Sequence, residues 1–307
     1  MPAGGPGEGE GEGEGEEEGE GEGEGEEEGE GEGEGEEEGE GEGEGEGDVD
    51  ASGPLTVERV ADGDVHVLTF SRPDTYNALN RELLAALADA LRAARGETAA
   101  VVLRGDGGAF SSGIDLEEAT LRDDGGGAGS NRRDGGDDDG GHPALLLTLQ
   151  DASRALFAYD GLAVAALDGH VVGAGLELAC GCDVRMSAPD ASFRLPELEL
   201  GITLTNGATR TLPELVGRGT AIRLALDGGP FDGREMAEAG LVDTLDDDPE
   251  ERARELAVRA AELPRESLVR TLKAFAADRS LEATLDAEIR DVLAVQSGTG
   301  SGSSGRR

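Results

Sequence analysis

The stretch "GAGLELACGCD", residues 173–183, sets a carboxylate, Glu177, between two leucines among glycine, alanine and cysteine. The small residues Gly173, Ala174 and Gly175 come first and predict a helix start that another molecule can approach closely, where free N–H groups point outward. The helix dipole alone favours a carboxylate in a first turn. The dipole does not explain why this carboxylate has apolar neighbours, because burying an unpaired carboxylate costs free energy and is tolerated mainly at functional sites.

Two further stretches have a similar character. "GGAFSSGIDL", residues 107–116, is a second passage from strand to helix, and N–H donors from two separate loops can form an oxyanion hole. In "FRLPELELG", residues 193–201, Glu197 follows Pro196 between apolar positions. Two carboxylates in apolar settings suit an acid and a base if the fold brings them together, which sequence spacing alone does not decide.

The surrounding chain predicts alternating strands and helices. "LTVERVADGDVHVLTF", residues 55–70, alternates on both sides of a turn and predicts a β-hairpin. Asn80 is the expected N-cap of the next helix, and "AAVVLRG" is a short apolar strand. The later elements expected are a helix over 143–159, a strand over 162–167, a helix from about Gly175, a strand over 183–188, and helices from Pro213 onward, the last over 281–295.

Charge divides the 307 residues unevenly. Residues 1–50 hold 23 Glu, Asp48 and Asp50 and no basic residue, so they carry −25 of the net charge of −43. Alternating Gly and Glu cannot bury apolar surface, and we expect residues 1–53 to be a disordered acidic tail. The composition then predicts a core over 54–245, a C-terminal helical region over 246–296 and a flexible tail over 297–307.

Composition also excludes several classes of partner. Such acidity argues against binding to nucleic acid or to an anionic membrane. No apolar run or signal segment is evident, which predicts a cytoplasmic protein. We expect high ionic strength, as in a halophile, to screen the charge of the protein.

Cys180 and Cys182 point in different directions on a helix and are read as buried hydrophobes. With His66, His142 and His170 scattered, we expect no metal site. No G-x-G-x-x-G opens a helix, which excludes a dinucleotide-binding dehydrogenase.

Taken together, "SRPDTYNALN", "GGAFSSGIDL", "LDGHVVGAGLELACGCDVRMSAPDASFRLPELELG" and "GLVDTL" resemble the enoyl-CoA hydratase/isomerase, or crotonase, superfamily. The resemblance spans roughly Leu55 to Val242 in the family's order. It implies an α/β fold, a spiral of ββα units with a helical C-terminal region, assembled as a homotrimer or homohexamer. It also implies an acyl-CoA substrate and no cofactor other than the coenzyme A of that substrate.

By the same resemblance, the backbone N–H groups of Ile114 and Ala174 form the oxyanion hole, and Glu177 and Glu197 hold the water that adds to a trans-2-enoyl-CoA. Glu177 activates that water and Glu197 delivers the α-proton. Residues expected beside the substrate are Asn77, Ala78, Leu79, Ser112, Gly113, Asp115, Gly173 and Gly175. From the residues alone, Asp115 is better explained as a helix cap or arginine partner, and His170 as a packed side chain.

The sequence departs from the family pattern in places. Residues 204–209 read L-T-N-G-A-T where most hydratases have P-G-x-G-G-T, and that loop supports the acid and the water. Tyr76 replaces a basic residue that lies near the CoA phosphates, and CoA affinity is expected either to be weaker or to depend on Arg72 and Arg81. The alternatives left open are a double-bond isomerase using Glu197 alone and a non-catalytic acyl-CoA-binding relative.

Overall fold

The N-terminal hairpin forms where its alternation predicts. In the computed structural model, which describes residues 48–51, 53–120, 144–277, 290 and 292, strand β2 (Leu55–Val60) pairs antiparallel with β3 (Val65–Phe70). Strand β1 (Asp48–Asp50) adds to the other edge of β2, inside the segment assigned to the acidic tail. Strand pairing uses backbone groups, so it does not need the apolar side chains whose scarcity suggested a tail.

Helix α1 (Arg81–Ala94) confirms the predicted N-cap. The Asn80 side chain accepts a hydrogen bond of 2.9 Å from the backbone N–H of Leu83, which satisfies one free donor of the first turn. The helix buries Leu83, Leu84, Leu87 and Leu91 against the sheet. These leucines recur with the 3.6-residue period of a helix and so form its buried face.

Pairs of strands then repeat along the chain, which confirms the expected spiral of ββα units. The strands are β4 (Ala100–Gly105) with β5 (Ala109–Ser111), β6 (Leu162–Leu167) with β7 (His170–Val172), β8 (Val184–Ser187) with β9 (Ser192–Arg194), and the terminal β10 (Thr244–Leu245). The first strand of each pair joins a large sheet of order β1-β2-β3-β4-β6-β8-β10, and the second joins a small parallel sheet of order β5-β7-β9.

The helices connect these pairs and follow them. The described ones after α1 are α2 (Leu116–Thr120), α3 (Ala144–Ala158), α4 (Ala174–Ala179), α5 (Ala208–Val216), α6 (Arg218–Asp227), α7 (Gly233–Ala239), α8 (Pro249–Ala261) and α9 (Arg265–Phe275). The helical start predicted at Pro213 is wrong by five residues, since that proline lies inside α5. Proline at a helix start is common, and this pattern favoured the wrong boundary. The helix expected over 281–295 lies outside the described residues, apart from 290 and 292.

Both faces of the large sheet are covered. Alternate residues of β4 face opposite sides: Val101 and Leu103 join the cluster with α1 and α3, while Ala100 and Val102 join the cluster with α8. Burial on both faces explains why β4 and β6 are continuously apolar rather than alternating. The domain boundary placed between residues 245 and 246 stays a prediction, and α8, beyond it, packs directly on the sheet.

The two cysteines behave as small apolar side chains. Both are free and buried, and burial raises the pKa of Cys180 and of Cys182 to about 12. Within the described residues, no group of three or more His, Cys, Asp or Glu side chains is arranged to hold a metal ion. No helix of the described part of the chain is both long and apolar enough to cross a bilayer.

Candidate active site

Glu177 lies in the first turn of α4 and is buried, with 2% of its surface exposed. Its Oε1 accepts a hydrogen bond of 2.7 Å from the Thr205 backbone N–H. Its Oε2 accepts two bonds of 2.8 Å, from the Thr205 hydroxyl and the Asn206 side-chain amide. Burial raises the pKa of Glu177, and these three bonds oppose that rise because they stabilise the ionised form.

Glu197 has a contrasting environment. It follows β9 through Pro196, is 6% exposed, and its buried Oε2 accepts no hydrogen bond from the described residues. Burial raises the pKa of Glu197 to about 7, its own backbone N–H lowers it, and the nearby negative charge of Glu177 raises it. The two predicted carboxylates are therefore brought together in unequal surroundings: three donors stabilise the charged form of Glu177, whereas Glu197 has a pKa raised to about 7 and an oxygen without a described donor.

The two predicted N–H donors come from loops that meet. A Cβ placed on Gly113, which precedes Ile114 and has φ of +91°, would lie 3.7 Å from the backbone nitrogen of Ala174. The N–H groups of Ile114 and Ala174 donate to no acceptor among the described residues. The parallel bridge between Leu79 and Ile114 fixes the first loop through the bond from Leu79 N–H to the Gly113 carbonyl, 2.8 Å long.

Two glycines allow this convergence. Gly173 has φ of +50°, and a Cβ there would stand 2.8 Å from Glu197 Oε1, so the residue before Ala174 adjoins the second carboxylate. A Cβ on Gly175 would lie 2.6 Å from Cβ of Ser111, at the end of β5. Glycine at these positions lets a helix start, a strand end and a carboxylate share one small volume.

The predicted substrate-contact residues mostly use their polar groups within the protein. Asn77 is fully buried with φ of +56°, and its side-chain amide donates to the carbonyl oxygens of Asp106 and Ala109 at 2.8 and 2.6 Å. Ala78 and Leu79 are buried, and the Ser112 hydroxyl donates to the Thr75 carbonyl at 2.9 Å. These side chains build the loop that carries Ile114.

Asp115 is a helix cap and an arginine partner, as the residues alone suggest. Its Oδ1 accepts from the N–H groups of Glu117 and Glu118 at 3.1 and 3.2 Å, and its Oδ2 pairs with Arg72 at 3.1 Å. Arg81 is bound to Glu118 in the same region. Both arginines expected to assist CoA binding thus already have carboxylate partners.

The prediction of a packed His170 is wrong. The residue is exposed at the start of β7, and its ring stands edge-on to Tyr76 with centroids 5.5 Å apart. Although β7 is the middle strand of the small sheet, its side chains alternate, with His170 exposed and the next residue, Val171, buried, so position in a strand did not mean burial.

The individual roles of Thr205, Asn206 and Ser153 were not predicted from the sequence. The loop over 204–209 was noted only as an altered support of the acid and the water, whereas its side chains bond Glu177. Ser153, on α3, is buried, with its hydroxyl 3.2 Å from Asn206 Oδ1. The departure of residues 204–209 from the family pattern pointed to a special role for this loop, but no local pattern in the sequence indicates which carboxylate the loop contacts.

Comparisons with known proteins agree with this geometry. A Bacillus subtilis protein named "Probable enoyl-CoA hydratase" is 30% identical over 241 residues, covering 76% of this chain and 88% of that protein. The 2,3-dehydroadipyl-CoA hydratase of Escherichia coli is 34% identical over 184 residues, covering 58% of this chain and 64% of its own length, so the chain spans less than two thirds of that relative.

Solved structures give the same result. The enoyl-CoA hydratase of Thermoplasma volcanium superposes with a TM-score of 0.68 at 30% identity, covering 80% of this chain and 92% of that one. A Thermobifida fusca protein in complex with CoA superposes with a TM-score of 0.70 at 27% identity, covering 80% and 94%. The profile of one family, enoyl-CoA hydratase/isomerase, matches residues 61–301. The chain therefore belongs to the enoyl-CoA hydratase/isomerase family and has the crotonase fold.

Proposed function

We propose that this protein is an enoyl-CoA hydratase that adds water across the double bond of a trans-2-enoyl-CoA. The observation that carries the proposal is the unequal carboxylate pair. Glu177 accepts three hydrogen bonds, and Glu197 is buried with an oxygen that has no described donor. Hydration needs a base that takes a proton from the water added to one carbon and an acid that protonates the neighbouring carbon, and this pair can supply both.

The reaction follows from these positions. The thioester oxygen accepts hydrogen bonds from the N–H groups of Ile114 and Ala174, which stabilise the negative charge that develops there. Glu177 takes a proton from water as the water oxygen bonds to the β-carbon, and the electron pair of the double bond moves toward the α-carbon and the thioester. Glu197 gives its proton to the α-carbon. One proton then passes from Glu177 to Glu197 to restore the starting state.

The acceptor capacity of Glu177 fits the role of base. A carboxylate offers about four lone-pair sites, and three donors occupy one site on Oε1 and two on Oε2. One acceptor site on Oε1 is left for water. Glu197, with its pKa raised to about 7, can carry a proton near neutral pH as an acid must.

A double-bond isomerase is the second candidate. In that reaction Glu197 alone removes a proton from one carbon and returns it to another, and the raised pKa of Glu197 suits such a shuttle. A non-catalytic acyl-CoA-binding protein is the third, favoured by the departure of residues 204–209 from the family pattern beside the site. The three candidates differ in what they require of Glu177.

The deciding experiment measures turnover of 2-enoyl-CoA and 3-enoyl-CoA thioesters by the wild type and by Glu177→Gln. A hydratase loses 2-enoyl hydration in the variant, by a factor of about 100 or more. An isomerase keeps its 3-enoyl conversion, and a binding protein turns over neither substrate while binding both in calorimetry. Glu199→Gln is the matched control, because Glu199 lies on the same loop as Glu197, is exposed, and pairs only at the surface with Arg194.

The proposal includes the setting of the enzyme. We propose that it works in the cytoplasm on acyl-CoA of fatty-acid metabolism, as a homotrimer or homohexamer and without a further cofactor. Exposed apolar side chains next to the site, Leu198, Leu200 and Ile202, support assembly. Sedimentation at low and high salt measures the assembly, and the acidity of the chain predicts that salt strengthens it.

A further inference from the structure

The loop between β9 and α5 supplies the hydrogen-bond donors of Glu177. Thr205 gives Glu177 two donors, its backbone N–H and its hydroxyl, and Asn206 gives a third. Two of the three donors are side-chain groups, the Thr205 hydroxyl and the Asn206 amide. The donor set around Glu177 therefore depends on side chains particular to this loop.

The orientation of the Asn206 amide is also determined. Its Nδ2 lies 2.8 Å from Glu177 Oε2, while the Ser153 hydroxyl lies 3.2 Å from Oδ1. The reversed amide would set Oδ1 against a carboxylate oxygen, which is repulsive. Ser153 reaches from α3, where its single hydroxyl proton is shared between the Leu149 carbonyl at 3.0 Å and Asn206 Oδ1, so a buried chain of polar groups runs from that helix through Asn206 to Glu177.

The backbone of the loop suits this task. Asn206 and Gly207 both have positive φ, +51° and +80°, immediately before α5 begins. Asparagine tolerates this conformation better than most residues because its short polar side chain can bond locally. Two consecutive left-handed residues turn the chain sharply, which allows the Thr205 N–H, the Thr205 hydroxyl and the Asn206 amide to reach one carboxylate.

We infer that Thr205 and Asn206, with Ser153 behind them, are positioning residues that hold Glu177 ionised and leave one acceptor site of its Oε1 for the reacting water. The inference rests on the proposed hydratase function and goes beyond it by assigning the tuning of the base to this loop. The charge of Glu177 acts on two described titratable groups, Glu197 and Cys180. All three hydrogen bonds that Glu177 accepts from the described residues come from Thr205 and Asn206, so neither group replaces these donors.

The test is the pH dependence of kcat/KM for 2-enoyl-CoA hydration. Thr205→Val removes the hydroxyl but keeps the backbone donor and the side-chain shape, and loss of a bond to a charged group shifts the acidic limb upward by about 1 pH unit. Asn206→Asp places an acceptor against Glu177 Oε2 and shifts it further. Ser153→Ala gives a smaller shift in the same direction, and Thr205→Ser restores the wild-type limb.

Thr211→Val is the control, since Thr211 lies in α5 and, among the described residues, its hydroxyl bonds the Gly207 carbonyl at 3.5 Å and not Glu177. A purely structural role would lower activity at all pH values, or lower the unfolding temperature, without moving the limb. An acidic limb that stays in place in both Thr205→Val and Asn206→Asp overturns the inference.

A second readout separates this inference from the proposed function. In protein labelled with ¹³C at glutamate carboxyls, the Glu177 resonance is the one lost in Glu177→Gln. We expect its titration midpoint to rise in Thr205→Val relative to the wild type and Thr211→Val. If the wild type hydrates no enoyl-CoA, the proposed function fails. The inference then stands or falls on whether that midpoint moves.

Discussion

Replacing Glu197 by glutamine should stabilise the protein at alkaline pH while removing its activity. Burial raises the pKa of Glu197 to about 7 from 4.5, and each pKa unit corresponds to about 1.4 kcal/mol. Because the folded-state pKa is the higher one, the contribution of Glu197 to stability is fully present below pH 4.5 and is lost as pH rises through 7. Glutamine has no charge to desolvate, so Glu197→Gln should gain up to about 3 kcal/mol at pH 8 and almost nothing at pH 4.

The assay is urea unfolding followed by circular dichroism at pH 4, 6 and 8 and at one protein concentration, since the chain has no Trp and two Tyr. Glu177→Gln is the internal contrast. Its amide cannot accept the three hydrogen bonds that Thr205 and Asn206 donate, so it should show no comparable gain. A Glu197→Gln protein no more stable than the wild type at pH 8, or one whose gain is the same at every pH, would show that burial does not disfavour the ionised form of Glu197.

Three further outcomes are expected. Hydration kcat/KM should fall as pH rises above about 7, as Glu197 loses the proton that it donates, and a profile flat to pH 9 would exclude it as the acid. Gly113→Ala should lower kcat by about 100-fold, because Gly113 has φ of +91° and a Cβ there would lie 3.1 Å from a carbonyl oxygen. Gly63→Ala is its control: Gly63 has the same φ but no atom within 4 Å of its Cβ position, so this variant should lower stability without changing kcat. Arg185→Met should lower the free energy of unfolding by about 3 kcal/mol, measured by urea, because the 2% exposed guanidinium bonds two buried carbonyls and a carboxylate.

Local patterns in the sequence were enough for most of the fold. The alternation over residues 55–70, the Asn80 cap and the apolar run of β4 each depend on neighbours within a few residues, and each was confirmed. The boundary error at Pro213 has the same local origin. Proline is typical of a helix start, and the packing that keeps it inside α5 involves residues far away in the chain.

The sequence by itself identified Glu177 and Glu197 as carboxylates in apolar surroundings and, through the resemblance, the two loops of N–H donors. Only the tertiary structure decided how unequal the two carboxylates are. The donors that stabilise the Glu177 anion come from 28 and 29 residues further along the chain, and Ser153 is 53 residues from the Asn206 that it contacts. Sequence records which side chains can bond, but the pKa of a buried group depends on which donors the folded chain brings to it and on how much water it excludes.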